Sequence, residues 1–369
     1  MLIEHIELRH VKLDLITPFE TSMGVEKFKE HIIVRADSEG VTGWGECVAD
    51  GTPFYSYETV QTAWHILKDF LIPGILGKNI SSIDEAIKIW LPVRGHRMAK
   101  AGLEAALWDM FAKQKRLSLS KMIGGNKDRV DVGVSIGIQS SPDILIKKVD
   151  GYLKEGYKRI KIKIAPARDI EFIKAVRKVF PEILLQVDAN SAYDLSDINI
   201  FKEIDKYNLL FIEQPLGFDD IYDHSKLQRE LKTPICLDES IQSPADANAA
   251  LELGSCKVIN IKPGRVGGFT ESKKIHDLCA SKNIPVWCGG MLESGIGRAG
   301  NVALASLPNF TLPGDISASK RYYKDDIVDP FFEIEPDGTM KVPDKPGIGV
   351  SIVLKQLEKV TVRKEGFNL

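Results

Sequence analysis

The chain has 369 residues, more than one ordinary domain needs, and 44% of them are hydrophobic, enough to build a sizeable core. Lys and Arg number 49 against 51 Asp and Glu, with both signs mixed along the chain, so no block of charge points to nucleic acid or an anionic membrane as partner. The opening MLIEHIELRH is charged where a secretory signal would be apolar, and no later stretch reaches the length of a membrane span, so a cytoplasmic enzyme acting on a small molecule is expected.

Residues 1 to about 60 carry period-two stretches, IEHIELRHVKL and HIIVRAD, broken by the turn-like TPFETSMG and DSEG, which predicts two or three antiparallel strands. From about 58 to 115 the pattern is helical, strongest in MAKAGLEAALWDMFAKQ over 98–114. Residues 1–125 therefore read as an α+β capping domain. From Val130 onward, short β-branched runs alternate with helical segments: VDVGVSI, YKRIKIKI, ILLQVD, LLFIEQ, TPICLD, CKVINIK, IPVWC and TLPGDI are the strand candidates. Eight such repeats predict an α/β fold with a closed (β/α)8-type parallel barrel over 126–328, in preference to an open doubly wound sheet. The tail, 329–369, predicts a hairpin about Asp337-Gly338 and a last strand that returns to the capping domain. The cysteines Cys47, Cys236, Cys256, Cys279 and Cys288 are scattered without a C-x-x-C pair, which argues against disulfides and zinc and for small buried side chains.

In a barrel the groups that do chemistry sit where strands meet the following loops, so charges there call for an explanation. In RIKIKI, Lys161 and Lys163 share one face and Ile160, Ile162 and Ile164 the other. If the isoleucines face the outer helices, both lysines point inward. The next three strands end in acids, Asp188, Glu213 and Asp238, each 25 residues after the one before. Three carboxylates converging from adjacent strands repel one another unless a cation lies between them, and all-oxygen ligands select Mg²⁺, with Mn²⁺ the alternative. The following strand brings Lys262 to the same rim, across from Lys163. Strand-end acids and surface lysines singly are commonplace, since Asp starts loops and caps helices. The ordered set Lys, Asp, Glu, Asp, Lys on successive strand ends is not. A divalent cation beside a carboxylate acidifies its α-proton, and a lysine accepts that proton once its pKa falls well below the usual ~10.4. Lys161 and the metal are expected to push Lys163 that way.

The segments KIKIAP, VDANSAY, FIEQPL, CLDESI, NIKPGRVGG, GGMLESGIGRA and PGDIS, with WGECVA, PFYSYET and MAKAGLEAALWD before them, resemble the muconate-lactonising branch of the enolase superfamily. Within it they are similar to the o-succinylbenzoate synthases, a group that overlaps the N-acylamino acid (N-succinylamino acid) racemases. The resemblance spans nearly the whole chain. It implies Asp188, Glu213 and Asp238 as metal ligands, Lys163 as acid/base, Lys262 as the lysine on the opposite face and Lys161 as support for Lys163. Asn190 and Glu239 would stand near the metal. Ser135, Lys161, Asn190, Gly290, Met291 and Ser317 would touch substrate. A capping loop at about 17–24, with Phe19 and Met23, and a segment near Tyr55 would screen the pocket. The implied reaction is a syn elimination of water giving 2-succinylbenzoate for menaquinone synthesis, or racemisation with the two lysines working from opposite faces. Spacing does not separate these, nor does it exclude a dipeptide epimerase, a cycloisomerase or a noncatalytic relative. Barrels of this kind often form homo-oligomers, but the sequence carries no interface pattern.

Two other motifs compete. Gly295 to Gly300 satisfies G-x-G-x-x-G but lies at a late β/α junction, so it is expected to be a helix start at the barrel mouth whose free N–H groups could meet a substrate carboxylate. Gly133 to Gly137 satisfies G-x-S-x-G, yet no helix follows at once and no His has a convincing acidic partner, so a nucleophilic Ser135 is disfavoured.

Overall fold

A computed structural model describes all residues from Met1 to Leu369. The capping sheet holds the antiparallel strands His5–Thr21, Gly24–Ser38 and Val41–Cys47, and the tail strand Thr361–Asn368 pairs along the outer edge of the first. His5 lies opposite Asn368, so this sheet has one strand beyond those in the amino-terminal segment, supplied by a partner more than 300 residues away in sequence. Alternation orders the sheet: Ile6, Leu8, Ile32 and Val34 are fully buried and join Leu103 and Leu107 of the helix Arg97–Gln114 in one core. That helix lies directly on the third strand. A Cβ on Gly43 would stand 2.1 Å from the Ala106 carbonyl oxygen, and one on Gly45 2.2 Å from that of Gly102, so only glycine permits the approach. The helix start has no cap of its own at His96. The Glu58 carboxylate takes that role, accepting from the N–H of Met98 at 2.9 Å and of Ala99 at 3.1 Å.

The second unit is a parallel sheet of seven strands in sequential order: Gly133–Ile136, Arg159–Lys163, Leu184–Asp188, Ile212–Glu213, Ile235–Leu237, Val258–Ile261 and Val286–Cys288, with helical segments between them. The expected eighth strand, TLPGDI, is irregular. Single parallel bridges, Val286 with Phe310 and Val132 with Gly314, join this segment to the last and first strands and close the barrel. Pro313 has no N–H to give to a ladder, which accounts for the interruption. The run VDVGVSI also divides. Arg129–Asp131 pairs antiparallel with Thr339–Lys341, and only Gly133–Ile136 enters the barrel. The turn at Asp337-Gly338 is present, with the Gly338 N–H donating to the Glu335 carbonyl at 2.9 Å. Its second arm, however, pairs with Arg129–Asp131, so a local hairpin is replaced by a long-range one.

Ile160, Ile162 and Ile164 are buried in the layer between strands and helices. Each contributes roughly 2 kcal/mol by leaving water, and a one-residue slip would expose them all, which fixes the register and turns Lys161 and Lys163 into the barrel. The interior is polar over a small apolar floor of Phe211, Cys236, Val258 and Trp287. Arg159 is fully buried there, donating to the Val134 and Pro313 carbonyls, with its guanidinium 5.2 Å from the Trp287 ring. All five cysteines are buried thiols. No helix is long and apolar enough to cross a membrane.

Candidate active site

At the carboxyl ends of the strands, register aligns the charged residues. Lys163 lies beside Asp188 and Asp188 beside Glu213, while Asp238 and Lys262 follow directly on their strands. Lys163 Nζ donates to Asp188 Oδ2 and to Asn190 Oδ1, both at 2.6 Å. Lys262 Nζ is 2.7 Å from Asp238 Oδ2 and 3.0 Å from the Tyr55 hydroxyl. Lys161 sits deeper, 2.6 Å from Asp315 Oδ2 and 3.1 Å from both Glu213 Oε2 and Asp188 Oδ2. Arg265 pairs with Asp238, and the Asn260 amide donates to Glu213 Oε1 at 2.7 Å. Asn190 and Gln214, which serve this network, hold positive φ of 42° and 36°, a backbone strain maintained by their bonds to Glu239 and Ser240.

Charge follows from these contacts. Burial opposes the Lys161 ammonium, but Asp315, Glu213 and Asp188 outweigh it and raise its pKa. Lys262 is likewise raised, with burial overcome by Tyr55, Glu239 and Glu213. Asp188 is held low, since Lys163 and Lys161 outweigh the cost of burial. Glu213 and Glu239 are pushed up, first by burial and then by the charge of Asp188.

Whether these residues suit a hard divalent ion turns on their donors. Asp188, Glu213, Asp238 and Glu239 offer only oxygen, all are buried, and Glu239 Oε2 has no hydrogen-bond partner. With Glu213 and Glu239 short of compensating charge, the cluster has capacity for more positive charge. The donor chemistry fits Mg²⁺. As placed, no three of the acids stand at coordinating spacing: the Lys161 ammonium bridges Asp188 and Glu213, while Lys163 pairs with Asp188 and Lys262 with Asp238. The convergence expected from strand order is thus a shared rim rather than a closed cage.

Above the lysines is a cavity lined by Ser135, Lys161, Lys163, Asn190, Lys262, Gly290, Met291 and Asp315, and by Phe19, Met23 and Tyr55 of the capping domain. The capping hairpin docks on the mouth: the Ser22 hydroxyl reaches the carbonyls of Ala189 and Asn190 at 3.2 Å, and the Ile138 N–H donates to the Glu20 carbonyl at 2.8 Å. Ser317 is placed elsewhere. Its hydroxyl donates to the Gly133 carbonyl at 3.2 Å, and it does not line the cavity. Ser135 Oγ is buried without a partner and has no histidine beside it. Three residues went unread in the sequence. Asp315 joins Lys161 to Arg159, with Arg159 at 2.7 Å, and its signal is the acid one residue before the end of the eighth strand candidate, TLPGDI. Arg265 and Lys29, the latter buried between Glu26 and Asp50 at the cavity edge, had no such signal. The G-x-G-x-x-G run does open a helix, Gly295–Ala305, but its donors do not face substrate: the Gly297 N–H donates to Glu46 Oε2 at 2.8 Å.

A barrel with lysines and acids on successive strand ends under an α+β cap defines a superfamily. Residues 4–124 match the mandelate racemase / muconate lactonizing enzyme N-terminal domain and residues 145–356 the enolase C-terminal domain-like family, so the chain belongs to the enolase superfamily. More particularly, it is 51% identical to an o-succinylbenzoate synthase of Geobacillus stearothermophilus, over 97% of this chain and 96% of that one. It is 47% identical to an N-succinylamino acid racemase of an Amycolatopsis species, over 99% of each. A crystal structure of an enolase superfamily member from Listeria innocua superposes with a TM-score of 0.96 at 46% identity, covering 100% of this chain and 99% of that one.

Proposed function

We propose that the protein is an o-succinylbenzoate synthase that abstracts a proton α to a carboxylate and expels water, with N-succinylamino acid racemisation as a second activity of the same site. The observation that carries this reading is the placement of Lys163 and Lys262 on one cavity, each bonded to a different strand-end acid, Asp188 and Asp238. The likeness to both a synthase and a racemase supports the pairing of activities.

Lys163 is the acid/base. Its Nζ is aimed by Asp188 and Asn190, takes the α-proton and then returns it to the departing hydroxide, so that water leaves from the same face. Lys262 stays protonated opposite and stabilises the negative charge that develops on the substrate carboxylate. In racemisation Lys262 delivers the proton to the other face. Lys161 holds Asp188 and Glu213 in place, and Ser135, Gly290 and Met291 form the wall against the substrate, while Phe19, Met23 and Tyr55 keep water out. Enolase superfamily enzymes are generally Mg²⁺-dependent. Here Asp188, Glu213 and Asp238 would hold Mg²⁺, or Mn²⁺, with Glu239 and Asn190 adjacent. When bound, the ion supplies a Lewis acid that lowers the energy of the deprotonated carboxylate.

The test is to assay the purified protein for dehydration of the cyclohexadiene carboxylate and for racemisation of N-succinylamino acids, with Mg²⁺ and with EDTA. Dehydration that disappears with EDTA and returns with Mg²⁺ is expected. Racemisation alone would reassign the reaction, and neither activity would reject it.

A further inference from the structure

The cavity wall formed by Gly290 and Met291 belongs to a short connection, residues 289–294, between the seventh barrel strand and the helix Gly295–Ala305. Its first residue is tied to the neighbouring barrel strand, the Gly289 N–H donating to the Ile261 carbonyl at 3.2 Å. Leu292 has φ of 57°, in the left-handed region, and Met291 leaves the barrel to pack in the core of the capping domain. The group that holds its end comes from that other domain. Glu46, on the third strand of the capping sheet, is buried and reaches across the interface with both oxygens. Oε1 accepts from the Ser294 N–H at 3.0 Å, and Oε2 from the Ser294 hydroxyl at 2.5 Å and the Gly297 N–H at 2.8 Å. On its far side, His31 Nδ1 is 2.6 Å from Glu46 Oε1, so the carboxylate is itself aimed. Gly297 leaves the space: a Cβ there would stand 2.9 Å from Glu46 Oε2 and 2.8 Å from Glu293 Cβ. The connection is further held by the Arg298 guanidinium on the Glu293 carbonyl at 2.9 Å and by the Tyr323 hydroxyl on the Leu292 carbonyl.

We infer that Glu46 is a positioning residue: by binding the start of the helix Gly295–Ala305 from the capping domain, it fixes Gly290 and Met291 against the substrate and so sets substrate affinity. It does not touch the reacting atoms, and its effect passes through the connection it holds. A carboxylate suits the task because it accepts from several donors at a helix start, where negative charge is favoured. An amide in its place would turn a donor toward one pair of these donors. The inference rests on the proposed function for its kinetic consequence alone.

The experiment compares wild type with Glu46→Gln, and with Gly297→Ala and Ser294→Ala as milder ways to disturb the same contact. Amide hydrogen exchange of residues 289–298 is followed together with KM and kcat for the dehydration substrate in Mg²⁺. Exchange at 289–298 should accelerate about tenfold or more in Glu46→Gln while the barrel strands keep their protection. KM should rise about tenfold with kcat within about twofold, Gly297→Ala should follow it, and Ser294→Ala should lie between. Unchanged protection at 289–298, or faster exchange with KM unmoved, overturns the inference. So does a variant series that loses overall stability in step with kcat and leaves KM alone. If wild type turns over neither substrate, the proposed reaction fails, yet the exchange data still decide whether Glu46 holds the connection.

Discussion

Glu104 offers a sharp test of the electrostatics at the interface of the two units. It lies on the helix Arg97–Gln114, buried, and its Oε1 accepts from the Thr270 N–H at 3.1 Å and the Trp108 indole N–H at 3.2 Å. Burial dominates over these bonds and pushes the carboxyl from its ordinary 4.5 up to about 7. In the unfolded chain it ionises near 4.5. Below that pH both states carry the proton and the group contributes nothing. Between about 4.5 and 7 the folded state keeps a proton that the unfolded state has lost, so stability falls as pH rises. Above about 7 the full penalty applies, and at about 1.4 kcal/mol for each pH unit between 4.5 and about 7 it comes to about 3–4 kcal/mol. Glu104→Gln is neutral at every pH. It should therefore be the more stable protein at pH 8, by up to about 3–4 kcal/mol less the roughly 1 kcal/mol lost where an amide replaces an acceptor. That advantage should shrink as pH falls and reverse toward pH 4.5, where only the roughly 1 kcal/mol cost of the amide is left. Urea denaturation of both proteins across this range gives the difference directly. A difference that does not change with pH would mean that Glu104 ionises alike in the folded and unfolded chain.

Asp315→Asn removes the charge that faces both Lys161 and Arg159, and should cost about 3–5 kcal/mol by urea denaturation, the cost of breaking buried pairs; a loss under about 1 kcal/mol would mean that Asp188, Glu213 and nearby carbonyls suffice for these cations. Gly289→Ala would bring a Cβ to 2.6 Å from Lys262 Cε and 2.4 Å from Asn260 Oδ1. Its kcat/KM should drop about 100-fold with circular dichroism intact, because small displacements of a reacting group are costly; full activity would show that the lysine has room to move. Tyr55→Phe deletes the hydroxyl shared by Lys262 and Asp238, and a fall of about tenfold in kcat/KM is expected, whereas no change would leave Tyr55 as wall alone.

The site was legible where a local period meets a global repeat. Two-residue alternation in RIKIKI and the fixed interval between Asp188, Glu213 and Asp238 each report on strand ends, and a barrel converts equal intervals into neighbouring positions. What lies across the barrel or between domains has no such imprint. The pairing of Lys161 with Asp315, the grip of Glu46 on Ser294 and the burial of Lys29 depend on which residues meet after folding. The same holds for pairing partners: the turn at Asp337-Gly338 was readable, but not that its second arm pairs with Arg129–Asp131. The eighth strand failed for a local reason, Pro313, visible in the sequence but outweighed there by the regularity of the repeat.

Lys163 and Lys262 are proposed to address opposite faces of one bound carboxylate. Deuterium incorporation at the α-carbon of each enantiomer of an N-succinylamino acid, in D₂O with Mg²⁺, tests it for wild type, Lys163→Ala and Lys262→Ala. Wild type should label both hands, while each variant should lose exchange with one hand and retain some with the other, the two variants in opposite senses. Undiminished labelling of both enantiomers by Lys163→Ala would contradict the claim.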